Sequence, residues 1–329
     1  MKLIWKLVRP VLKFLLSALV FCSFFLLASL AQSIYYMGAE YDLVKLPDVR
    51  SLKDLKPLES SFVYASDGTL IGCYAKEYRT VLLENEIPQL LERAILASED
   101  QRFDSHLGLD FWAIMRAAFR NLKEGRVVEG GSTLTQQVAK NFFLTQERTL
   151  ERKIKEAVLA LKLERAFSKR EILTFYVNVA YLGRGRYGFE AASRAYFGKS
   201  VNALKLHEIA LVVGLINTPD ILARANIEAA LQKRNRVLQL MRSQDYLSEE
   251  DFRQALSEPL NILPPAADCK NEAPFFVEEI RKTYKDKLPL LTGGLRIYTT
   301  LDRNIQKKAE EALKNMLDKY RARHPENAE

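Results

Sequence analysis

Histidine is scarce in this 329-residue chain, which contains only His106, His207 and His324. None of them has another histidine or a cysteine three or four positions away, so the helical spacing typical of zinc ligands is absent. The sequence therefore predicts no metal site and identifies no cofactor.

Cysteine is equally scarce, with three residues at positions 22, 73 and 269. Cys22 lies in an N-terminal apolar run, whereas Cys73 and Cys269 follow it. These two could form a disulfide if the chain beyond that run lies outside the cytoplasm. Two separate thiols fit the sequence equally well, because spacing alone does not give their distance.

Acidic residues are absent from the first 39 positions, where four basic residues account for half of the net charge of +8. The remaining surplus is small and fits an anionic substrate or a lipid surface better than nucleic acid. The chain is 48% apolar and 27% charged, which indicates a folded protein rather than a disordered one.

A long apolar run follows the basic N-terminus and covers residues 11–31, with Lys13 as its one charge. Its length suits a helix that spans a bilayer. Because the basic flank comes first, residues 1–10 are predicted to be cytoplasmic and the remainder of the chain extracytoplasmic. A cleaved signal peptide stays an alternative, since Ser29-Leu30-Ala31 is a passable cleavage site.

Beyond this run, we expect a stalk over 32–60, a catalytic domain over 61–245 and a linker region over 246–329. Residues 61–83 read as a hairpin around Ser66-Asp67-Gly68. Helical periodicity dominates from Ile87 to about Leu240, and a strand over 294–300 precedes a last amphipathic helix from about Arg303. The fold class predicted is mainly α.

The first cluster of chemically capable residues is E-D-Q-R-F-D-S-H-L-G, from Glu99 to Gly108. It follows an apolar helical stretch, so Glu99 falls near a helix end. A carboxylate beside Phe103 could have a raised pKa and act as an acid or base. Taken alone, the cluster fits a polar helix terminus at least as well.

The second cluster is G-G-S-T-L-T-Q-Q-V-A-K-N, from Gly130 to Asn141. With Ser132 as the expected N-cap, Ser132, Gln136 and Lys140 would share one helix face. Such a face suits an anionic, hydroxyl-rich ligand. A solvated helix face is the alternative.

The third cluster is the helix around Arg152-Lys153-Ile154-Lys155-Glu156. A helical projection predicts an apolar stripe that contains Leu150, Ile154, Ala157, Val158 and Leu161. It places Arg152 and Glu156 on another face together with Leu159 and Leu163. The two leucines on this face favour a cleft over a solvent-exposed ion pair, and we expect Glu156 to be only partly solvated.

The fourth cluster holds three glycines in six positions, Gly183 to Gly188, with Arg184 and Arg186 between them. Such a loop could approach a phosphate, although no strand precedes it as in dinucleotide-binding folds. A structural turn is the alternative.

Together and in this order, the four clusters resemble the family 51 glycosyltransferases, the peptidoglycan polymerase domain of class A penicillin-binding proteins. The resemblance covers about Ser61 to Met241 and includes E-D-x-x-F-x-x-H-x-G, G-G-S-T-x-T-Q-Q-x-x-K-N, R-K-x-x-E and a closing Y-F-G-K. It implies a lysozyme-like, bilobed, mostly helical domain on the outer face of the bacterial inner membrane. That domain would polymerise lipid II into glycan strands and release undecaprenyl pyrophosphate.

Carried onto this chain, the resemblance makes Glu99 the base and Glu156 the residue that supports the transition state. The residues expected to hold substrate or leaving group are Ser132, Gln136, Lys140, Arg152, Arg116 and Asn141. A divalent cation could assist the departure of pyrophosphate. Expected partners are lipid II, the nascent glycan, membrane lipids and other cell-wall synthesis proteins.

Two features depart from this family pattern. Ile216-Asn217-Thr218-Pro219-Asp220 replaces a longer proline-rich stretch, and no S-x-x-K or K-T-G motif follows the linker-like strand. We therefore expect no penicillin binding. The linker region either begins a transpeptidase module that is missing from this chain, or belongs to a protein that kept the linker strand alone. A lysozyme-like hydrolase and an inactive scaffold are the alternative functions.

The segment from Leu109 to about Val128 holds several large apolar residues. It is expected either to face lipid or to form an ordinary core helix.

Overall fold

The computed structural model describes residues 32, 45–53, 58–126, 130–145, 147, 149–222, 226–264 and 272–324. The expected membrane anchor, residues 11–31, lies outside this part of the chain. Within the described ranges, no helix has both the length and the apolar character needed to cross a bilayer.

The described residues form a mainly helical fold, as predicted. The helices are α1 (Gln89–Glu99), α2 (Phe111–Glu124), α3 (Leu134–Phe143), α4 (Leu150–Ala166), α5 (Lys169–Val179), α6 (Phe189–Phe197), α7 (Leu206–Gly214), α8 (Ile227–Ser243), α9 (Glu249–Ser257), α10 (Pro274–Tyr284) and α11 (Arg303–Arg323). The strands are β1 (Ser61–Tyr64), β2 (Leu70–Tyr74), β3 (Tyr78–Arg79), β4 (Arg186–Tyr187) and β5 (Arg296–Tyr298). The lysozyme-like, two-lobed arrangement stays a prediction.

Local sequence signals explain where the central helices begin and end. Thr133 and Gln136 form a reciprocal capping box at the start of α3, and Ser168 and Glu171 form another at α5. Asp110 caps the start of α2, and Gly125, in the left-handed conformation, caps its end after Glu124.

The main core surrounds α7, whose residues from His207 to Gly214 are all buried. A helix that is apolar on all sides needs neighbours all round, and α7 packs against α1, α6, α8 and α9. The approach to α8 is close: a Cβ on Gly214 would lie 3.1 Å from the backbone carbon of Lys233. The position of α1, which carries Glu99, is therefore fixed by the core.

A second, smaller core lies under a three-stranded sheet in the order β2-β1-β5. The predicted hairpin is confirmed, since β1 pairs antiparallel with β2, and the predicted linker strand β5 pairs parallel with β1. Val63 and Ile71 of the hairpin pack with Val277 of α10 and Leu301. The hairpin thus packs with the linker region rather than with the main helical core.

Cys73 of β2 is disulfide-bonded. The other two cysteines, Cys22 and Cys269, lie outside the described residues, so the pairing of Cys73 with Cys269 stays a prediction.

Candidate active site

A polar cavity of about 890 Å³ lies where α1, α2, α3 and α8 approach one another. Acidic, cationic and amide side chains face it. Those that matter for the chemistry are Glu99, Arg116, Arg120, Ser132, Gln137, Lys140, Asn217, Lys233 and Arg236.

Glu99 is the last residue of α1, and its carboxylate reaches the cavity. Gln137 Nε2 donates to Oε2 across 3.1 Å, and Asn217 Nδ2 donates to Oε1 across 2.9 Å. Burial raises the pKa of Glu99 and outweighs these donors, which lower it. The carboxylate is therefore more basic than an exposed glutamate, and both its oxygens are held in place.

Asp100 and His106 support the wall behind Glu99. His106 Nε2 lies 3.0 Å from both carboxylate oxygens of Asp100, while His106 Nδ1 accepts the Gly108 N–H at 3.1 Å. Because Nδ1 accepts, the proton lies on Nε2 and points at Asp100. Asp100 also accepts the N–H of Leu134, the first residue of α3.

Gly108 explains the glycine of the first motif. Its φ of +93° favours glycine, and an added Cβ would lie 2.9 Å from the Ala160 carbonyl oxygen. Thr133 Oγ1 donates to the Gly108 carbonyl at 2.6 Å. The loop after α1, the start of α3 and the middle of α4 are thereby joined.

The second motif contributes Ser132, Gln137 and Lys140 to the cavity, but not Gln136. Thr133, not Ser132, is the N-cap of α3, so the predicted shared face of Ser132, Gln136 and Lys140 is wrong. Gln136 is buried and accepts the Thr133 N–H within the capping box.

Asn141 is exposed and does not line the cavity. Its predicted role in substrate binding therefore has no structural support at this cavity.

Glu156 of α4 is buried and pairs with two cations of its own helix. Arg152 forms an ion pair with Oε1, and Lys153 Nζ lies 2.8 Å from Oε2. The expectation of partial solvation for Glu156 is wrong, because its side chain is only 3% exposed. Neither Glu156 nor Arg152 lines the cavity.

The buried face of α4 consists of Glu156, Leu159, Ala160 and Leu163. Leu150 and Leu161, from the predicted apolar stripe, are exposed. The helix face that carries Glu156 together with Leu159 and Leu163 is thus the one that packs against the rest of the protein. This outcome agrees with the inference that the Arg152–Glu156 pair is not a surface pair.

Lys153 links this pair to the cavity and was not among the predicted site residues. Its Nζ donates to Ser132 Oγ across 2.7 Å. Burial, with the neighbouring charges of Arg152 and Lys140, lowers the pKa of Lys153 to about 8.

The helix α2 presents two chemically different faces. Arg116 and Arg120 line the cavity, whereas Trp112, Met115 and Phe119 are each more than 65% exposed. Only Ala117 of α2 is buried, so the alternative of an ordinary core helix is wrong.

The glycine-rich loop from Gly183 to Gly188 does not line the cavity. Arg184 lies over the Tyr196 ring, and Arg186 lies 4.1 Å from the centroid of Tyr78. Residues Arg186–Tyr187 form β4 and pair with β3. In this position the loop acts as a structural turn.

A resident metal would need several free ligands, and no cluster of three His, Cys, Asp or Glu residues occurs in the part of the chain that the structure describes. At the cavity, Asp100 is engaged by His106 and Asp110 by Arg102. The donor set therefore does not fit a metal held by the protein alone.

Known proteins that are similar to this chain identify its family. The transglycosylase family model matches residues 67–242. Penicillin-binding protein 1A of Aquifex aeolicus is 42% identical over 83% of this chain and 38% of its own length. The corresponding protein of Escherichia coli is 37% identical over 92% of this chain and 37% of its own length.

Among solved structures, penicillin-binding protein 1A from Haemophilus influenzae aligns over 82% of this chain and 31% of that chain, with 24% identity and a TM-score of 0.47. The chain spans less than two-fifths of the length of the relatives described above. All four motif clusters begin within the matched residues 67–242. The chain therefore belongs to the transglycosylase family, and its resemblance to the peptidoglycan glycosyltransferases is confirmed.

Proposed function

We propose that this chain polymerises lipid II into peptidoglycan glycan strands by inverting glycosyl transfer. The observation that carries the proposal is that the Glu99 carboxylate faces a cavity lined by several cationic side chains. A base and an anion-binding wall in one cavity are what a transfer from a pyrophosphate donor requires.

Glu99 acts as the general base. It takes the proton of the acceptor sugar hydroxyl, whose oxygen attacks the anomeric carbon of the donor and forms the new glycosidic bond. The bond from that carbon to the pyrophosphate oxygen breaks, and its electron pair leaves with undecaprenyl pyrophosphate. The raised pKa of Glu99 suits this role, because a base works best when its pKa approaches the working pH.

The cations of the cavity stabilise the leaving group. Pyrophosphate is a stable anion, so positive charge and hydrogen-bond donors matter more than a proton donor. Lys140 and Ser132 lie on the side of α3, and Arg116 and Arg120 lie on α2. Lys153 adds a charge through its hydrogen bond to Ser132.

Glu156 supports this wall from behind. It is buried, and its two oxygens face Arg152 and Lys153. Glu156 therefore holds the two cations in place, as a positioning residue that does not touch the substrate. Arg152 likewise acts through this pair.

The substrates carry lipid tails, which fits a site at a membrane surface. The exposed apolar side chains of α2 lie on the same helix as Arg116 and Arg120, which line the cavity, so lipid contact by α2 would bring the cavity close to the bilayer. With residues 11–31 as anchor, the domain lies on the outer face of the bacterial inner membrane. Other cell-wall synthesis proteins would join it there.

A lysozyme-like hydrolase needs a second carboxylate that activates water or attacks the sugar. The buried position of Glu156 and its two cations disfavour that use. The intact base also disfavours an inactive scaffold.

The test is incubation of the full-length chain in detergent with lipid II and, in a parallel reaction, with preformed glycan. We expect longer glycan on gels and released undecaprenyl pyrophosphate, and a loss of about 10²–10⁴-fold for Glu99→Gln. The exposed, ion-paired Glu151 provides a matched control, and Glu151→Gln should keep full activity. Shortened preformed glycan would favour the hydrolase, and binding of lipid II without turnover would favour the scaffold.

A chelator addition tests whether a divalent cation assists the departure of pyrophosphate. Since no described cluster of ligands fits a resident metal, any requirement is expected to follow the pyrophosphate substrate. It should therefore appear as a change in KM for lipid II.

A further inference from the structure

The carboxylate of Glu99 is held by neutral amides from two different elements of the fold. Gln137 belongs to α3, and Asn217 belongs to the turn after α7. Each amide donates to a different carboxylate oxygen, across 3.1 Å and 2.9 Å. Ser98 Oγ lies 3.4 Å from Oε1 and adds little.

The two amides limit the rotation of the Glu99 side chain. Glu99 is the last residue of α1, and its long side chain can place the carboxylate in several orientations unless it is held. Two donors on separate elements restrict the rotation of the carboxylate plane. The remaining lone pairs then have a fixed direction for a substrate hydroxyl, and orientation is a large part of catalysis.

We propose that Asn217 is a positioning residue for Glu99: it holds Oε1 and, with Gln137, aims the carboxylate into the cavity. Asn217 is exposed and lines the same cavity. It also lies in the Ile216–Asp220 segment, where this chain departs from the family pattern. The expected change in kcat/KM rests on the proposed function, whereas the NMR titration of the Glu99 carboxyl does not.

The uncharged state of the two donors matters as much as their geometry. A hydrogen bond to a carboxylate favours its ionised form and lowers its pKa, and a nearby cation does so more strongly. An amide therefore favours the ionised form of the half-buried Glu99 while leaving it basic. A lysine at position 217 would give a more stable carboxylate and a weaker base.

The side chain at position 217 should set the order of the Glu99 pKa in the wild type and three variants. In Asn217→Ala the donor is lost, and in Asn217→Asp a like charge is added as well; both changes raise the pKa of Glu99. In Asn217→Lys an opposite charge is added, which lowers the pKa. The acid limb of the kcat/KM profile should therefore move to higher pH in the order Lys, wild type, Ala, Asp.

The rates should follow a different order. We expect Asn217→Ala to lower kcat/KM for lipid II about tenfold at neutral pH, as expected for one lost hydrogen bond to a charged group. Asn217→Asp should lose more, because protonation competes as well. Asn217→Lys should also be slower than the wild type, since its base is weaker.

Asn202 provides a matched control, because it is exposed and does not line the cavity. Asn202→Asp and Asn202→Lys make the same charge changes and should leave both rate and profile unchanged. The melting temperature of each position 217 variant should stay close to that of the wild type, since the side chain is exposed.

A ¹³C NMR titration of the Glu99 carboxyl in the full-length chain tests the contact without turnover. Its signal is assigned by its absence in Glu99→Gln. Titration midpoints in the predicted order would support the positioning role of Asn217. If Glu99→Gln stayed active, only the proposed role of Glu99 as base would be overturned. Midpoints that do not move, or that move equally in the Asn202 controls, would overturn the inference about Asn217.

Discussion

Lys153 Nζ donates a hydrogen bond to Ser132 Oγ across 2.7 Å and so joins α4 to the loop that precedes α3. Ser132 faces the cavity, whereas Glu156, the other partner of Lys153, is buried. Lys153 thus connects the buried Glu156 carboxylate with the cavity wall where an anionic leaving group would bind.

The charge of Lys153 should set the alkaline limit of activity. Its pKa is lowered to about 8, so the ammonium is present below that pH and is lost as the pH rises through it. If the charge stabilises the pyrophosphate, kcat/KM, which reports the free enzyme, should fall with a midpoint near pH 8.

Lys153→Arg tests this assignment, because a guanidinium stays charged over the accessible range. The alkaline limb near pH 8 should disappear in this variant. Lys155→Arg, at an exposed ion pair on the same helix, should keep the wild-type profile. An unchanged limb in Lys153→Arg would mean that another group titrates.

Glu156→Gln should weaken both stability and activity. The substitution leaves Arg152 and Lys153 close together without their shared counter-charge. We expect a loss of about 1–3 kcal/mol of unfolding free energy, below the largest values for buried pairs because both cations reach solvent. Denaturant unfolding measures it, and Glu151→Gln should change stability by less than about 0.5 kcal/mol.

If Glu156 instead touched the reacting atoms, Glu156→Gln would lower kcat by orders of magnitude with little change in KM. The proposed positioning role predicts that KM for lipid II rises as well, since displaced cations bind the pyrophosphate less well.

Asp100 should matter for stability through its contacts with His106 and the N-terminus of α3. Asp100→Asn removes the charge that both donors face, and a Leu134 N–H or a His106 N–H can lose its acceptor. We expect a loss of about 1–3 kcal/mol. Asp104→Asn, at an exposed site five residues from Glu99, should be nearly neutral.

The sequence predicted most of the elements but not the contacts that complete the site. The hairpin, the linker strand and the last helix follow from period-2 and period-3.6 patterns, which are local. Asn217 lies 118 positions from Glu99, and no local pattern reports such a contact. Lys153 was also missed, because its hydrogen bond to Ser132 depends on how α4 packs against α3.

Two errors have simple geometric causes. The N-cap of α3 is Thr133 instead of Ser132, so Gln136 stands at the third helical position and closes the cap instead of facing the cavity. Gln137, about 100° further round the helix, reaches Glu99. For α4, partial solvation was expected of Glu156 because charges and leucines share its helix face, whereas ion pairs with two cations of the same helix accompany its full burial.

The apolar face of α2 should contact lipid, and the tryptophan content of the chain allows a direct test. Trp5 and Trp112 are the only two tryptophans, so Trp5→Phe leaves Trp112, which is 74% exposed, as the single indole. In vesicles whose acyl chains carry bromine, an interfacial helix seated about 5–10 Å deep should be quenched most by bromines near the headgroups. Phe119→Ser combined with Leu122→Ser should reduce the quenching, because these side chains share the exposed face.

Phe275→Ser serves as the control for that experiment, since Phe275 is 85% exposed on α10 rather than on α2. The control should leave the quenching of Trp112 unchanged. If the emission of Trp112 stayed at the wavelength of a water-exposed indole and bromine did not quench it, α2 would not lie in the bilayer. The cavity would then have to receive the proposed lipid-linked substrates without help from this face, and attachment to the membrane would rest on the expected anchor, residues 11–31.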